Sequence, residues 1–196
     1  MPSRQEALEL LERRVENQGL RNHMLCVEAA MRWYARQQRA DEELWGLTGL
    51  LHDLDWEAHP DEHPLRAVDE LRALGYPDEL LHAILSHRSD FTGTMPESQL
   101  DRTLVACDEL TGLITATALV RPTGIDDLKP KSVKKKMKDP AFARGVDRED
   151  VRRGAELLGV ELDRHIENVI EAMRGIASEL GLTAQQLAGA ASTEDR

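Results

Sequence analysis

The chain has 196 residues, of which 41% are hydrophobic, 31% charged and only 4% aromatic. This length and composition predict a single globular domain whose core is built mainly from aliphatic side chains. The formal net charge of −11 argues against general binding to nucleic acid or to an anionic membrane surface, because both would repel the protein. A local basic pocket is not excluded.

The chain shows no sign of export or membrane insertion. Residues 1–6 are polar and lack the apolar core of a signal peptide, and no apolar stretch reaches the roughly 18 residues needed to span a bilayer. Cys26 and Cys107 fall inside predicted helices among apolar neighbours, so we expect reduced core residues. With no CxxC motif, a structural zinc knuckle is disfavoured. We therefore expect a cytoplasmic protein.

Helical periodicity recurs from end to end and strand signals are nearly absent, which predicts an all-α fold. Ser3 and Glu6 predict a capping box for a first helix that ends at Gly19. Asn22 is predicted to cap a second helix that reaches about residue 38. Four more helices are predicted at about residues 41–53, 62–74, 77–88 and 97–119.

The second half begins with a proline-flanked segment, residues 121–145, that contains the lysine run at 129–138. Helices follow at about 148–158, capped by Asp147, and at about 161–180. His165 lies in the last of these among charged neighbours, and we expect it in solvent.

The boundaries of the domain follow from the absence of any repeat or break in composition. We predict one helical domain over residues 1–182. The residues that follow are small and polar, which predicts a flexible C-terminal tail over 183–196.

His52 and Asp53 are predicted at the C-terminal end of the third helix. A helix C-terminus carries partial negative charge and so favours a cation. Gly46, Gly49 and Asp53 share one helical face, which would let another backbone approach closely beside the carboxylate. Imidazole and carboxylate ligands together suit Mn, Fe, Co, Ni or Zn rather than Ca.

Further polar side chains lie on the apolar faces of other predicted helices. His23 lies on the second helix and Asp108 on the long helix, while His63 opens the fourth helix and His87 ends the fifth. A single histidine on an apolar face is more often a satisfied core residue than a ligand. Burying several such groups without a cation is costly, so spacing alone supports a metal centre and unrelated core residues about equally.

The order of these residues resembles the ligand signature of the HD-domain superfamily. The sequence LLHDLD at residues 50–55 is similar to the family's LLHDIG motif. The stretches at 63–71, 75–77 and 84–87 look like the second histidine pair of two-metal members. Residues 108–122 and 131–136 resemble a bacterial subgroup of predicted HD-superfamily hydrolases, and the whole likeness covers roughly residues 15–182.

The resemblance implies an HD-type helical bundle with additional C-terminal helices, and it implies one or two divalent transition metal ions. The first ion would be held by His23, His52, Asp53 and Asp108. Asp53 would bridge to a second ion held by His63 and His87. Metal-activated water would attack the phosphorus of a small phosphorylated substrate, such as a nucleotide-like ester.

Two positions depart from the family pattern. Asp55-Trp56 stands where the family commonly has Gly-Lys, which removes a usual phosphate contact. His87-Arg88 stands where many two-metal members have His-His, which leaves occupancy of the second metal position open. Cations that could replace the missing lysine are Arg88, Arg121, Lys131, Lys134 and Lys135. For the lysine run, a solvated surface is an equally supported interpretation.

The candidate catalytic carboxylates are Asp53 as the bridging ligand, and Asp55, Glu57 and Glu109 as a general acid or as water-mediated metal ligands. For Asp55 and Glu57, the alternative is a loop carboxylate that caps the next helix. A metal-dependent phosphohydrolase is the leading interpretation. An HD-fold di-iron oxygenase and a non-catalytic binding or regulatory module with a structural metal are the alternatives, and the missing Gly-Lys pair favours the last.

Overall fold

The computed structural model describes residues 1–194, and within that range the chain forms helices and no β-strand, which confirms the all-α class. The helices are α1 Arg4–Arg14, α2 Gln18–Gln38, α3 Glu42–Leu51, α4 Leu65–Ala73, α5 Asp78–His87, α6 Ser89–Thr92, α7 Gln99–Leu119, α8 Pro130–Met137, α9 Arg148–Leu158, α10 Leu162–Arg174 and α11 Ala184–Glu194. None of these helices is long and apolar enough to cross a membrane.

Two predicted N-terminal caps are present. The Ser3 hydroxyl accepts the Glu6 N–H, and the Glu6 carboxylate accepts the Ser3 N–H, which completes the capping box of α1. The Asp147 carboxylate accepts the N–H groups of Glu149 and Asp150 at the start of α9. Both caps satisfy backbone donors that a helix start otherwise leaves unpaired.

The predicted start of the second helix is wrong. α2 begins at Gln18, because the side chain of Asn17 accepts the N–H of Leu20 at 3.0 Å and acts as the cap. Gly19 consequently lies inside α2 and does not end the first helix. The predicted cap, Asn22, instead accepts a hydrogen bond from the side chain of Gln18.

α3 lies at the centre of the bundle, with every residue from Leu44 to Leu51 buried. A helix that is apolar on all sides needs neighbours on all sides. α2 packs directly along it, and a Cβ placed on Gly49 would lie 2.9 Å from the backbone nitrogen of Glu28. The close backbone approach predicted beside the His52-Asp53 pair is therefore confirmed.

One hydrophobic core extends from Ala7 in α1 to Leu182, just before α11. Cys26 and Cys107 are both free and buried in it, as predicted. Burial raises the pKa of the Cys26 thiol to about 12, so this group stays protonated at neutral pH. Part of the segment predicted as a flexible tail is helical, as α11, and residues 195–196 lie outside the described range.

The prediction that His165 lies in solvent is wrong, because this side chain is fully buried between α10, α2 and α7. Its Nε2 donates to the carbonyl of Ala106 at 2.8 Å, and its Nδ1 accepts the hydroxyl of Tyr34 at 2.6 Å. The amide of Asn168 donates to the same Tyr34 oxygen. Burial lowers the pKa of His165 to about 4, so the ring is neutral.

α9 lies against α7 at very short range. A Cβ on Gly154 would meet the Cα of Ala106 at 2.6 Å, so only glycine permits this approach. The start of α9 is thereby fixed near the middle of α7, beside Asp108. This packing decides which residues surround the candidate site.

Candidate metal centre

The six predicted metal ligands converge from several elements, namely α2, the end of α3, the turns between α3 and α4, the end of α5 and the middle of α7. Their side chains form two groups in which the ligand atoms lie within 4.8 Å of one another. The first ligand group is His23, His52 and Asp108. The second ligand group is Asp53, His63 and His87.

In the first ligand group, Oδ1 of Asp108 lies 3.0 Å from Nε2 of His23 and 3.4 Å from Nε2 of His52. In the second, Nε2 of His63 lies 3.3 Å from Oδ1 of Asp53. The Nε2 atoms of His63 and His87 are 3.0 Å apart. Each group thus presents two imidazole nitrogens and one carboxylate oxygen to a common point.

Asp53 stands between the two groups. Its Oδ1 faces His63, while its Oδ2 lies 3.5 Å from Nε2 of His52 and 3.8 Å from Nε2 of His23. One carboxylate therefore turns one oxygen toward each ligand group, which is the arrangement of a bridging ligand.

Hydrogen bonds on the outer side of three rings fix which nitrogen faces inward. Nδ1 of His52 donates to the carbonyl of Gly49 at 2.9 Å, and Nδ1 of His87 donates to the carbonyl of Ile84. Nδ1 of His63 donates to the Asp55 carboxylate at 2.7 Å. Because each Nδ1 donates outward, Nε2 is the nitrogen of each ring that faces inward, and it is the atom that a metal ion would bind.

The buried polar atoms at the centre fit a metal. Nε2 of His52 is fully buried and has no hydrogen-bond partner, a costly state for a polar atom without a ligand. Metal–ligand bonds of about 2.0–2.2 Å place two ligands of one ion roughly 3 to 4 Å apart. The separations of 3.0–3.8 Å measured here therefore need little adjustment.

The charges at the centre also favour a cation. Burial by itself lowers the pKa of His52, but the carboxylates of Asp53 and Asp108 outweigh it and raise that pKa to about 9. Burial likewise raises the pKa of both carboxyl groups, and the adjacent His52 imidazole brings each pKa below its usual value. The two carboxylates thus create a strongly negative potential inside the protein.

The comparison with known families agrees with this geometry. The family model of the HD domain matches residues 20–113. Residues 20–113 are an HD domain. All six predicted ligands lie inside the matched segment, and the bacterial subgroup suggested by residues 108–122 and 131–136 stays a prediction. No curated protein matches the chain.

An open pocket of about 670 Å³ lies directly over the two ligand groups of the HD domain. Its floor contains His23, Asp53, His63, His87 and Asp108. A cavity of this size suits a small-molecule ligand. The ligand groups are therefore reachable from solvent and do not belong to a sealed structural site.

The four predicted catalytic carboxylates fall into different places. Asp53 and Glu109 line the pocket. Asp55 is buried behind His63, and its second oxygen accepts the N–H of Ala67 at 2.8 Å, so it orients that histidine. Glu57 is exposed on the outside and accepts the N–H groups of Glu16 and Asn17, which precede α2. The alternative of a loop carboxylate that caps the next helix therefore fits Asp55, because Ala67 lies in the first turn of α4, and does not fit Glu57.

Glu109 follows Asp108 on α7 and reaches the pocket beside it. Burial and the Asp108 carboxylate raise the pKa of Glu109 to about 7. Its carboxylate accepts the N–H of Asp147 at 3.0 Å, which ties the start of α9 to α7. Glu109 is thus both a pocket residue and a contact between the HD domain and the C-terminal helices.

The five predicted phosphate-binding cations lie in different parts of the structure. Arg88 lines the pocket, where its guanidinium carbon lies 5.9 Å from the centre of the Trp56 ring. Arg121 and Lys135 line a second cleft of about 340 Å³ between the end of α7 and α8. Lys131 is exposed, and Lys134 pairs with an aspartate of α10 at 2.6 Å. Of the five, the structure places Arg88 alone at the pocket over the ligand groups.

Sequence reasoning missed one side of the pocket altogether. This side, which we call the C-terminal wall, consists of Gly145, Val146, Asp147, Asp150 and Arg153. It lies outside the segment matched by the HD domain model. The sequence predicted α9 and its cap but held no signal that this helix would pack beside Asp108.

Proposed function

We propose that the protein is a metal-dependent phosphohydrolase that cleaves a small phosphate ester with metal-activated water. The observation that carries this proposal is the open pocket over two adjoining ligand groups, with Arg88 and Arg153 at its sides. Metal ions held there would lower the pKa of bound water and offset charge on phosphoryl oxygens. The family of the HD domain supports the same class of reaction.

The chain's own residues have separate tasks in this proposal. His23, His52 and Asp108 would hold one ion, His63 and His87 would hold the other, and Asp53 would contribute one carboxylate oxygen to each ligand group. His52, His63 and His87 are oriented by hydrogen bonds on their outer sides, so this part of the site is preorganised before substrate enters.

Arg88 takes the place of the lysine that is missing after the His-Asp motif. It reaches the pocket from the end of α5, with its side chain about two-thirds buried. A guanidinium offers two parallel donors to a phosphoryl group, which an ammonium cannot do. Trp56, which occupies the lysine position itself, packs edge-on against His63 and forms the adjacent side of the pocket.

Glu109 is the proposed proton donor to the leaving group. It lines the pocket next to Asp108 and is not a member of either ligand group. Asp55 and Glu57 have no such access, since the first is engaged behind His63 and the second lies on the outer surface. Asp55 and Glu57 therefore have no catalytic role in this proposal.

The test begins with metal analysis of the purified protein, followed by a screen of phosphorylated metabolites with added Mn, Co, Ni or Fe. Phosphate release that is lost in His52→Ala and Asp53→Ala, but retained in the exposed His59→Ala, is the expected result. Thermal unfolding with and without added metal accompanies each variant, because a ligand that binds only the folded state raises its stability.

The same measurements separate the alternatives. Bound iron with substrate-dependent oxygen uptake and no phosphate release would replace the hydrolase by an oxygenase. Metal-dependent stabilisation without turnover of any phosphate ester in the screen would leave a metal-stabilised binding or regulatory module.

A further inference from the structure

The C-terminal wall completes a pocket whose floor belongs to the HD domain. Arg153 extends from α9 into the same cavity that Arg88 enters from the end of α5. The two arginines therefore come from elements 65 positions apart in the sequence, one inside and one outside the segment that the family model matches.

The wall is held firmly in place. The guanidinium of Arg148 donates to the backbone carbonyls of Phe142, Ala143 and Val146, and so gathers the loop before α9 into one unit. The Glu109 carboxylate accepts the N–H of Asp147 at 3.0 Å. Together with the close packing of α9 on α7, these contacts present Arg153 on a preformed surface.

Both pocket arginines are paired with an aspartate from their own segment. Arg153 lies 3.1 Å from Asp150, and Arg88 lies 3.2 Å from Asp90. All four residues line the pocket. Each arginine is thus oriented by an aspartate that carries a single negative charge and is at least one-third exposed. Such an exposed ion pair is weak, so a bound anion could replace the aspartate as the partner of the arginine.

We propose that Arg88 and Arg153 form a two-arginine clamp that selects phosphomonoesters over phosphodiesters. This inference rests on the proposed function of the same pocket. A monoester is a dianion at pH 8, since its second pKa is about 6, and it outcompetes the singly charged aspartates. A diester carries the same single charge as the aspartate that it must displace, so it gains little from the exchange.

The chain offers a matched control for Arg153. Arg152 is the preceding residue on α9, has the same charge and pairs with Glu149 at the surface, but it does not line the pocket. Replacing either arginine by glutamine changes the net charge equally. A difference between Arg153→Gln and Arg152→Gln therefore measures the contact of Arg153 with the bound phosphate and not the change in the protein's overall electrostatic field.

The experiment titrates methyl phosphate and dimethyl phosphate into the Mn²⁺-loaded protein at pH 8 by calorimetry. We expect Arg153→Gln to raise the Kd of methyl phosphate about tenfold, because one charge-assisted hydrogen bond is lost, and Arg152→Gln to raise it less than about twofold. Dimethyl phosphate should respond to neither change. Arg153→Lys, which keeps the charge but loses the two parallel N–H donors of the guanidinium, should give an intermediate Kd.

Equal effects of Arg153→Gln and Arg152→Gln, or no binding of methyl phosphate to the wild type, would overturn the clamp. Binding needs no turnover, so the result is independent of the activity screen. Arg153-dependent binding of methyl phosphate without hydrolysis would support the clamp and contradict the phosphohydrolase. Hydrolysis that does not depend on Arg153 would support the phosphohydrolase and contradict the clamp.

Discussion

His63 and His87 face each other with their Nε2 atoms 3.0 Å apart, and in neutral rings that carry their proton on Nδ1 both of these atoms have a lone pair. The Nδ1 protons of both rings are committed elsewhere, to Asp55 and to the carbonyl of Ile84. Two facing lone pairs repel, whereas a cation between them is stabilised by both. The histidine pair therefore supports a second metal position, even though Arg88 stands where related sequences continue with histidine.

Asp55 should control the second ligand group through His63. Replacing it by asparagine keeps the size of the side chain but removes the carboxylate that fixes the Nδ1 proton. We expect the affinity of the ion at His63 and His87 to fall by about 10- to 100-fold, while the ion at His23, His52 and Asp108 stays bound. Metal content per protein at buffered Mn²⁺ should drop from about two ions toward one.

The matched control is Asp61→Asn, because Asp61 is an exposed carboxylate of the same loop. It should leave the metal content at the wild-type value. An Asp55→Asn protein with unchanged stoichiometry and affinity would show that His63 needs no such support.

Glu109→Gln should distinguish a proton donor from a purely structural residue. The amide oxygen can still accept the Asp147 N–H, so the C-terminal wall should stay in place. If Glu109 protonates the leaving group, kcat should fall by about 10²- to 10⁴-fold for an alkyl phosphate. An aryl phosphate with an acidic leaving group needs little protonation and should be affected much less.

The two substrates are compared on the same protein samples, with the melting temperature as the measure of folding. An equal fall in kcat for both substrates would reject the assignment of Glu109 as the acid.

His165 should make stability depend on pH. The folded protein holds this ring neutral with a pKa of about 4, while the ordinary value is 6.5. Between these values the unfolded chain binds more protons than the folded protein, so stability falls as pH decreases. From pH 7 to pH 5 the loss attributable to His165 should be about 2 kcal/mol.

Denaturant unfolding of the wild type and of His165→Gln at both pH values measures this contribution by difference. Glutamine does not titrate, so the variant should lose about 2 kcal/mol less than the wild type over this range. Identical pH dependence of the two proteins would mean that His165 does not carry the effect.

Gly154→Ala should loosen the C-terminal wall. The added methyl group would meet the backbone of Ala106 at 2.6 Å and force α9 away from α7. We expect a loss of about 1–3 kcal/mol in the free energy of unfolding, together with weaker binding of methyl phosphate because Arg153 moves with the helix. Chemical denaturation and calorimetry measure the two effects.

Gly189→Ala in α11 serves as the comparison, since a Cβ there would meet nothing within 4 Å. Alanine favours a helix over glycine by about 1 kcal/mol, so this variant should be neutral or slightly more stable. If Gly154→Ala behaves in the same way, the close contact between α7 and α9 does not limit stability.

Helix caps and helical periodicity depend on residues that are close in sequence. They predicted the start of a helix correctly where only one residue nearby could act as the cap. Ser3 with Glu6, and Asp147, cap helices as predicted because each competes only with its neighbours in sequence. The prediction that Asn22 caps the second helix was wrong, because Asn17, five residues earlier, has the same side chain and accepts the N–H of Leu20 at the start of the helix. Sequence alone does not rank two such caps.

His165 shows a different failure. Most of its neighbours in sequence are charged (Asp163, Arg164 and Glu167), but its neighbours on the helix face are Val169 and Met173, which are buried. Helical spacing would have placed it inward. Its partners Tyr34 and Ala106 come from other helices, and no local pattern names them.

The sequence by itself determined an all-α chain and the identities of six side chains that converge as predicted, because helical periodicity is local and the order of these residues resembles the ligand signature of the HD domain. Tertiary structure alone decided that Asp55 holds His63, that Arg121 and the lysine run lie away from the pocket, and that Arg153 enters it. Those outcomes depend on how distant helices pack, which is set by contacts such as Gly154 on Ala106. Contacts between distant helices produce no periodic pattern in the sequence, so they cannot be predicted from it.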